Sequence, residues 1–164
     1  ADACAVASYR RLAWTAGWHL REETYRRALA MLVNAQQAQP LAALFGAADI
    51  SSSDGQHFPT GGPGEAVGAV NARYGHDATT LLYTHVTARH APFHAVAIPP
   101  SGEAAHVLDG LLYHEADFTS AVHHTDGGGV SDHVFGLAHL LGFGFAPRIP
   151  NLAERRLYAF GPAG

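Results

Sequence analysis

Two short stretches of this chain are built alike, and together they constrain its fold more than any other feature. Residues 50–59, ISSSDGQHFP, set one carboxylate, Asp54, among small hydroxyl residues behind an apolar run. Residues 122–129, VHHTDGGG, set a second, Asp126, after a short β-like run and before a glycine turn. In each stretch a strand leads into Asp and then into small residues. That pattern predicts two acidic side chains carried to the ends of neighbouring strands. Oxygen donors of this kind suit one or two divalent cations, and phosphodiester chemistry is the commonest use of such a pair. Asp before Gly is also an ordinary turn signal, because Asp tolerates turn geometry and Gly supplies positive φ. Local sequence leaves both roles open.

The flanking segments predict the remaining elements. Residues 5–37 are expected to be helical with a break near Gly17, and Glu22 and Glu23 face Arg26 and Arg27 at helical i,i+4 spacing. Tyr25, Leu29, Leu32 and Val33 form the apolar face of the second helical part. Pro40 ends it, and LAALFGAADISSS is expected to be the first strand, with Asp54 at its far end. A glycine-rich connection follows from Gly61 to Gly75; it fails as a dinucleotide fingerprint because Val67 stands where the third Gly is needed. TTLLYTHVT and PFHAVAI then read as two strands broken at Ala91 and Pro92, completing an antiparallel meander with the first. Pro92 prevents His90 and His94 from forming a helical ligand pair, so His85, His90 and His94 are read as structural or surface histidines.

Ser101 is a good N-cap for a helix over GEAAHVLDGLLYHEAD, with Ala104, Leu108, Leu111 and Leu112 facing inward and Asp109, Glu115 and Asp117 solvated. FTSAVHHTD forms the next strand and delivers Asp126. A further helix runs from the N-cap Ser131 to the stop Gly142, with Val134, Leu137, Ala138 and Leu141 inward. Asp132 and His133 at its start leave substrate or metal contact open beside helix capping. GFGFAPRI gives a last short strand. The string GVSDH is no nucleophile elbow, since His133 stands where that turn needs Gly.

Composition narrows the class. With 164 residues, 48% hydrophobic and only 15% charged, the chain can build one ordinary core and is not expected to be disordered. No apolar run reaches the roughly 18 residues of a membrane span and no signal peptide opens the chain, which predicts a cytoplasmic location. Cys4 is the single cysteine, so no internal disulfide forms. The net charge is −4, with ten Arg and no Lys, an unusual balance for a chain that contacts phosphates.

From about Tyr9 to Phe160 many separated motifs stand in order: WHLREETYRRAL, PLAALFG, SSSDGQHFPTGG, GEAVGAVNARYG, YTHV, APFH, HVLDGLLYHEAD, HTDGGGVSDHVF and LLGFGFAPRIPNLAERRLY. Through them the chain resembles the transposases of the Tn-three family of replicative transposons. The resemblance implies an α/β, RNase H-like mixed sheet, three antiparallel strands and then parallel ones, flanked by helices. Residues 1–39 would be a helical lead-in and residues 40–160 a partial DDE catalytic domain. It maps the first two acidic positions of the catalytic triad onto Asp54 and Asp126 and places the third, a Glu, beyond the last residue of this chain. It further implies Mg²⁺ or Mn²⁺ held by Asp54 and Asp126, and DNA as partner, both as transposon terminal inverted repeats and as target. A homo-oligomer would pair the two ends, in a bacterial protein that joins the nucleoid when bound to DNA. Arg73, His133 and Arg148 are the candidate DNA contacts. The chain departs from the family pattern at Pro63, where a basic residue stands, at Ala95 and Val96, where a Lys stands, and at Gly127, where a Thr stands. A fragment with two of three carboxylates is expected not to cleave DNA alone. The alternatives are another RNase H-like metal-dependent nuclease, or a non-catalytic remnant or binding module.

Overall fold

The computed structural model describes residues 7–60, 78–99 and 102–156. Its strands are β1 Ile50–Pro59, β2 Thr79–Thr87, β3 Pro92–Ile98, β4 Val122–Thr125 and β5 Gly144–Phe145. Its α-helices are α1 Tyr9–His19, α2 Glu22–Gln37, α3 Val107–Leu112 and α4 Asp132–Leu141. The strands form one sheet in the order β3-β2-β1-β4-β5. β1, β2 and β3 are an antiparallel meander, and β4 joins the free edge of β1 in parallel, followed by β5. This is the mixed sheet expected from the resemblance, with the first and fourth strands as neighbours. A parallel return needs a crossover, which the segment holding α3 supplies.

Alternation with a period of two makes the sheet one-sided. Leu81, Tyr83, His85 and Thr87 of β2, Ser51 and Ser53 of β1, and His123 and Thr125 of β4 are buried, while Ser52, Asp54, Gln56, Leu82 and His124 between them are exposed. Val33 of α2, Leu108 and Leu111 of α3 and Ala138 of α4 pack with Phe93, and Val107 and Val134 with Leu81, Tyr83 and Ile98. Each larger side chain fully buried there contributes about 1.5–3 kcal/mol.

Several elements differ from the sequence reading in extent. Gly17 lies inside α1, since one Gly costs a helix only about 1 kcal/mol. The break falls instead at Leu20 and Arg21, where Leu20 leaves helical dihedrals and its N–H caps Ala16 O. α2 meets the core along a narrow line of Leu29, Ala30 and Val33, leaving Tyr25 and Leu32 exposed. The Glu22–Arg26 pair forms at 3.0 Å, whereas Arg27 turns to Glu115, 3.9 Å away. Residues 40–44 are a 3-10 turn begun by Pro40, whose fixed φ suits a first helical position. β1 therefore starts only at Ile50, and Asp54 lies within the strand rather than at its far end.

The helix expected over residues 102–117 is shortened to a 3-10 turn, Glu103–His106, and the six residues of α3. After Tyr113 the chain bends so that the rings of His114 and Phe118 stack at 5.0 Å and Phe93 meets Phe118 edge-on at 4.7 Å. Leu108 and Leu111 face inward as expected, but Leu112 is exposed. In α4, Val134 and Ala138 are buried while Leu137 and Leu141 are exposed. The last strand shrinks to two residues, although Ala146 and Arg148 still donate backbone N–H bonds to His123 and Thr125. The glycine-rich connection, Ser101 and Arg73 lie outside the described residues.

α4 starts and stops where its sequence directs. Ser131 Oγ accepts the His133 N–H at 3.2 Å, and Gly142 closes the helix at φ 83°, a conformation that favours glycine. Ser131→Ala is expected to lower stability by about 1 kcal/mol, read from the urea midpoint, while Ser131→Asp retains it. Equal losses in both variants would show that the cap bond is not what anchors the helix.

Candidate active site

The parallel pairing of β1 with β4 ends at Ser53 opposite Thr125. Asp54 and Asp126 are the next residue of each strand's chain, so the register brings their backbones to neighbouring positions. Both are exposed; the alternation of β1 turns Asp54 away from the buried face, and Asp126 caps the turn that follows β4. Asp54 Oδ1 accepts its neighbour's N–H, from Gly55 at 2.8 Å, and Asp126 Oδ1 accepts that of Gly128 at 2.9 Å. Asp126 thus combines a turn role with a displayed carboxylate, whereas Asp54 displays its carboxylate from within β1 and makes no turn.

Beneath the pair runs a buried polar chain. Tyr83 Oη lies 2.8 Å from Ser53 Oγ, Ser53 Oγ 2.8 Å from His123 Nε2, His123 Nδ1 2.7 Å from Ser51 Oγ, and Ser51 Oγ 2.5 Å from Ser120 Oγ. One assignment satisfies every group. Tyr83 donates to Ser53, Ser53 to Nε2, Nδ1–H to Ser51, Ser51 to Ser120, and Ser120 to the Val122 carbonyl. Only a neutral imidazole can accept from one neighbour and donate to the other. Burial lowers the His123 pKa to about 4. His85, stacked on His123 at 5.4 Å and donating from Nε2 to Val107 O, is lowered by burial to about 3. These histidines tie β1 to β4 and β2 to α3 directly under the carboxylates.

Two open grooves meet the site. One of about 310 Å³ lies over Asp54, Gln56 and Thr84. The other, about 690 Å³, is lined by Asp126, Gly127, Gly128 and residues 148–151. Arg148 is exposed in the second, its backbone pinned to Thr125 O at 2.8 Å. His133 is exposed on the first turn of α4 and is not among the residues lining that groove. Of the three histidines read as structural or surface residues, His85 is buried, His94 is half-buried against it, and His90 is exposed in the β2–β3 turn, edge-on to Phe45. Among the described residues no three His, Cys, Asp or Glu side chains are drawn together as a closed cation cage.

A family model described as the Tn3 transposase DDE domain matches residues 1–163. The chain belongs to this family. It is 48% identical over 163 residues to the transposase of transposon Tn2501 from Escherichia coli, covering 99% of this chain and 16% of that protein. It is 49% identical over 152 residues to the transposase of Tn501 from Pseudomonas aeruginosa, covering 92% of this chain and 15% of that one. The transposase of transposon gamma-delta from Escherichia coli (strain K12) is 33% identical over 147 residues, 88% of this chain and 14% of its own length. The chain therefore spans about one-sixth of the length of the relatives it matches. No described helix is long and apolar enough to cross a membrane.

One residue of this Tn3-family domain reaches the site without any local signal in the sequence. Glu103 opens the 3-10 turn after Gly102, which stands at φ 103°. Its carboxylate lies over Gly55 and Gly128, so close that a Cβ on Gly55 would fall 2.9 Å from Glu103 Oε1. Burial first, then the charges of Asp126 and Asp54, raise its pKa. In sequence, Glu103 is one more early-helix carboxylate; only the crossover carries it to the strand ends.

Proposed function

We propose that this chain forms part of the catalytic centre of a Tn3-family DNA transposase, in which Asp54 and Asp126 are two of the three carboxylates of a DDE site. The observation that carries this reading is the β1–β4 register, which leaves both aspartates at neighbouring positions immediately past the last paired residues, exposed and facing open grooves. The donor set fits Mg²⁺ or Mn²⁺, since both residues offer hard anionic oxygens, each steadied by one backbone N–H. Divalent ions bound there would supply positive charge for the phosphoryl group and a water acidic enough to attack it.

The residues of the chain set the geometry. The serine–histidine chain keeps β1 and β4 in register, so the two carboxylates stay adjacent whether or not DNA is present. Arg148, in the groove beside Asp126, is suited to a backbone phosphate, a contact that positions DNA without reading its sequence. Arg73 and His133 are the other proposed DNA contacts. Transposon ends and target DNA are the substrates, and a second copy of the transposase pairs the two ends. With a net charge of −4, the chain alone should bind DNA weakly and lose that binding as salt rises.

The test uses the chain with Mn²⁺ and a duplex carrying the inverted-repeat end of a related transposon. Calorimetry should give Mn²⁺ binding that weakens at least tenfold in Asp54→Ala and in Asp126→Ala, and no strand should be cut. Unchanged Mn²⁺ affinity in both variants would remove the metal assignment. Cleavage that disappears in Asp54→Ala would instead mean that two carboxylates of the triad suffice.

A further inference from the structure

We infer that Glu103 is an additional carboxylate of the metal centre, closing on the cation from the helical side of the sheet beside Asp54 within β1 and Asp126 just past β4. The inference rests on the reading of Asp54 and Asp126 as metal ligands and adds to it a residue from the crossover between β3 and β4.

Three observations carry it. First, the carboxylate of Glu103 is seated on two glycines that each lie beside one of the proposed ligands. Gly55 follows Asp54 directly, and Gly128 donates its N–H to Asp126 Oδ1. Second, the seat has no room for side chains. A Cβ on Gly55 would meet Glu103 Oε1 at 2.9 Å and Leu81 Cδ1 at 2.9 Å. A Cβ on Gly128 would meet Glu103 Cδ at 3.1 Å and Asp126 Oδ1 at 3.2 Å, with Glu103 Oε2 nearer still. The carboxylates of Glu103 and Asp126 therefore flank one point above Gly128. Third, among the described residues no cationic side chain forms an ion pair with Glu103, which stands beside two other anions. A half-buried carboxylate kept next to two like charges is unfavourable in an empty site and favourable around a divalent cation.

The three side chains do not enclose a point as they stand. Asp54 leaves β1 on the open face, while Glu103 lies over Gly55 and Gly128 from the other. The Glu103 side chain has three rotatable bonds and lies on glycine, with no Cβ to obstruct it. Rotation about those bonds toward Asp126 is the movement that cation binding would require. A merely structural Glu103, by contrast, would serve only to begin the 3-10 turn, which Gln would do equally well.

Glu103→Gln preserves shape and removes the charge, and it separates these roles. Mn²⁺ binding to the chain is measured by calorimetry, and thermal midpoints are taken in EDTA and in Mn²⁺, with Asp109→Asn as the control for loss of a nearby carboxylate. The expected result is a loss of Mn²⁺ affinity of about tenfold or more in Glu103→Gln and none in Asp109→Asn. In EDTA the midpoint of Glu103→Gln should equal or exceed that of the parent chain, because repulsion among three anions is relieved, and its rise on adding Mn²⁺ should be smaller. If Asp54→Ala and Asp126→Ala weaken Mn²⁺ binding while Glu103→Gln leaves it unchanged, the inference about Glu103 is wrong and the two-aspartate site stands. If the parent chain binds no Mn²⁺, both fall together. Should Glu103→Gln lower the midpoint in EDTA, its role is structural and the inference is likewise overturned.

Discussion

Taking the chain from pH 8 to pH 5 is expected to remove about 4 kcal/mol of its stability, because two buried imidazoles must stay neutral for the fold to hold. His85 and His123 are lowered to about 3 and about 4 by burial, against 6.5 for an exposed His. A folded-state pKa below the unfolded one means that the unfolded chain takes up the proton first as pH falls. The stabilisation is thus complete above about pH 6.5 and is lost progressively below it, each histidine accounting for about 2 kcal/mol by pH 5. His94 and His114 are also lowered by burial and act in the same sense. Glu103, raised, acts in the opposite one.

The physical cause is visible in the hydrogen bonds. Protonated His123 could no longer accept from Ser53, and protonated His85 would hold a charge between the rings of Tyr83, Phe93 and His94. Urea midpoints at pH 8, 7, 6 and 5 check this, and His123→Gln should remove about half of the dependence. A midpoint that does not change across that range would mean that these rings are not buried as described.

Gly110→Ala is expected to destabilise the chain by about 3 kcal/mol, the upper end for overpacking a core, and to lower the melting temperature by roughly 10 °C. Gly110 faces the ring of His85, and an added Cβ would lie 2.5 Å from Cδ2 and nearer to Cγ and Nδ1. The ring cannot retreat. It is completely buried, stacked on His123, and bonded through Nε2 to the Val107 carbonyl at 2.9 Å, one turn earlier in the same helix. Gly136→Ala is the matched control, since a Cβ there meets nothing within 4 Å and the position lies inside α4. It should stabilise by about 0.5–1 kcal/mol. If the two variants melt alike, α3 does not pack on β2 through His85.

The meander was legible because its signals are local. TTLLYTHVT and PFHAVAI alternate, and Pro92 can begin an edge strand but not continue a central one. α4 was legible for the same reason, with its cap and stop at Ser131 and Gly142. The misjudged extents share a different cause. LAALFG is apolar enough for a strand, yet Pro40 starts a 3-10 turn and Gly46 passes against Ala88 too closely for a side chain. The apolar stripes of α2, α3 and α4 are wider in sequence than the contact each helix makes. Tyr25, Leu32, Leu112, Leu137 and Leu141 all satisfy helical periodicity and are nonetheless exposed.

By itself the amino-acid sequence determined the two strand-to-Asp stretches, the meander, the α4 caps and, through motifs spread along nearly the whole chain, the family. Each of these is written in residues close together or in ordered strings of them. Tertiary structure alone decided that Asp54 sits within a strand, that Ser51, Ser53, Tyr83, Ser120 and His123 join in one buried chain, and that Glu103 lies on Gly55 and Gly128. Those contacts join β1, β2, the crossover and β4, and their partners stand up to 72 positions apart, as Ser51 and His123 do. No local pattern encodes them, because they depend on parallel register and helix placement, which the whole core sets at once.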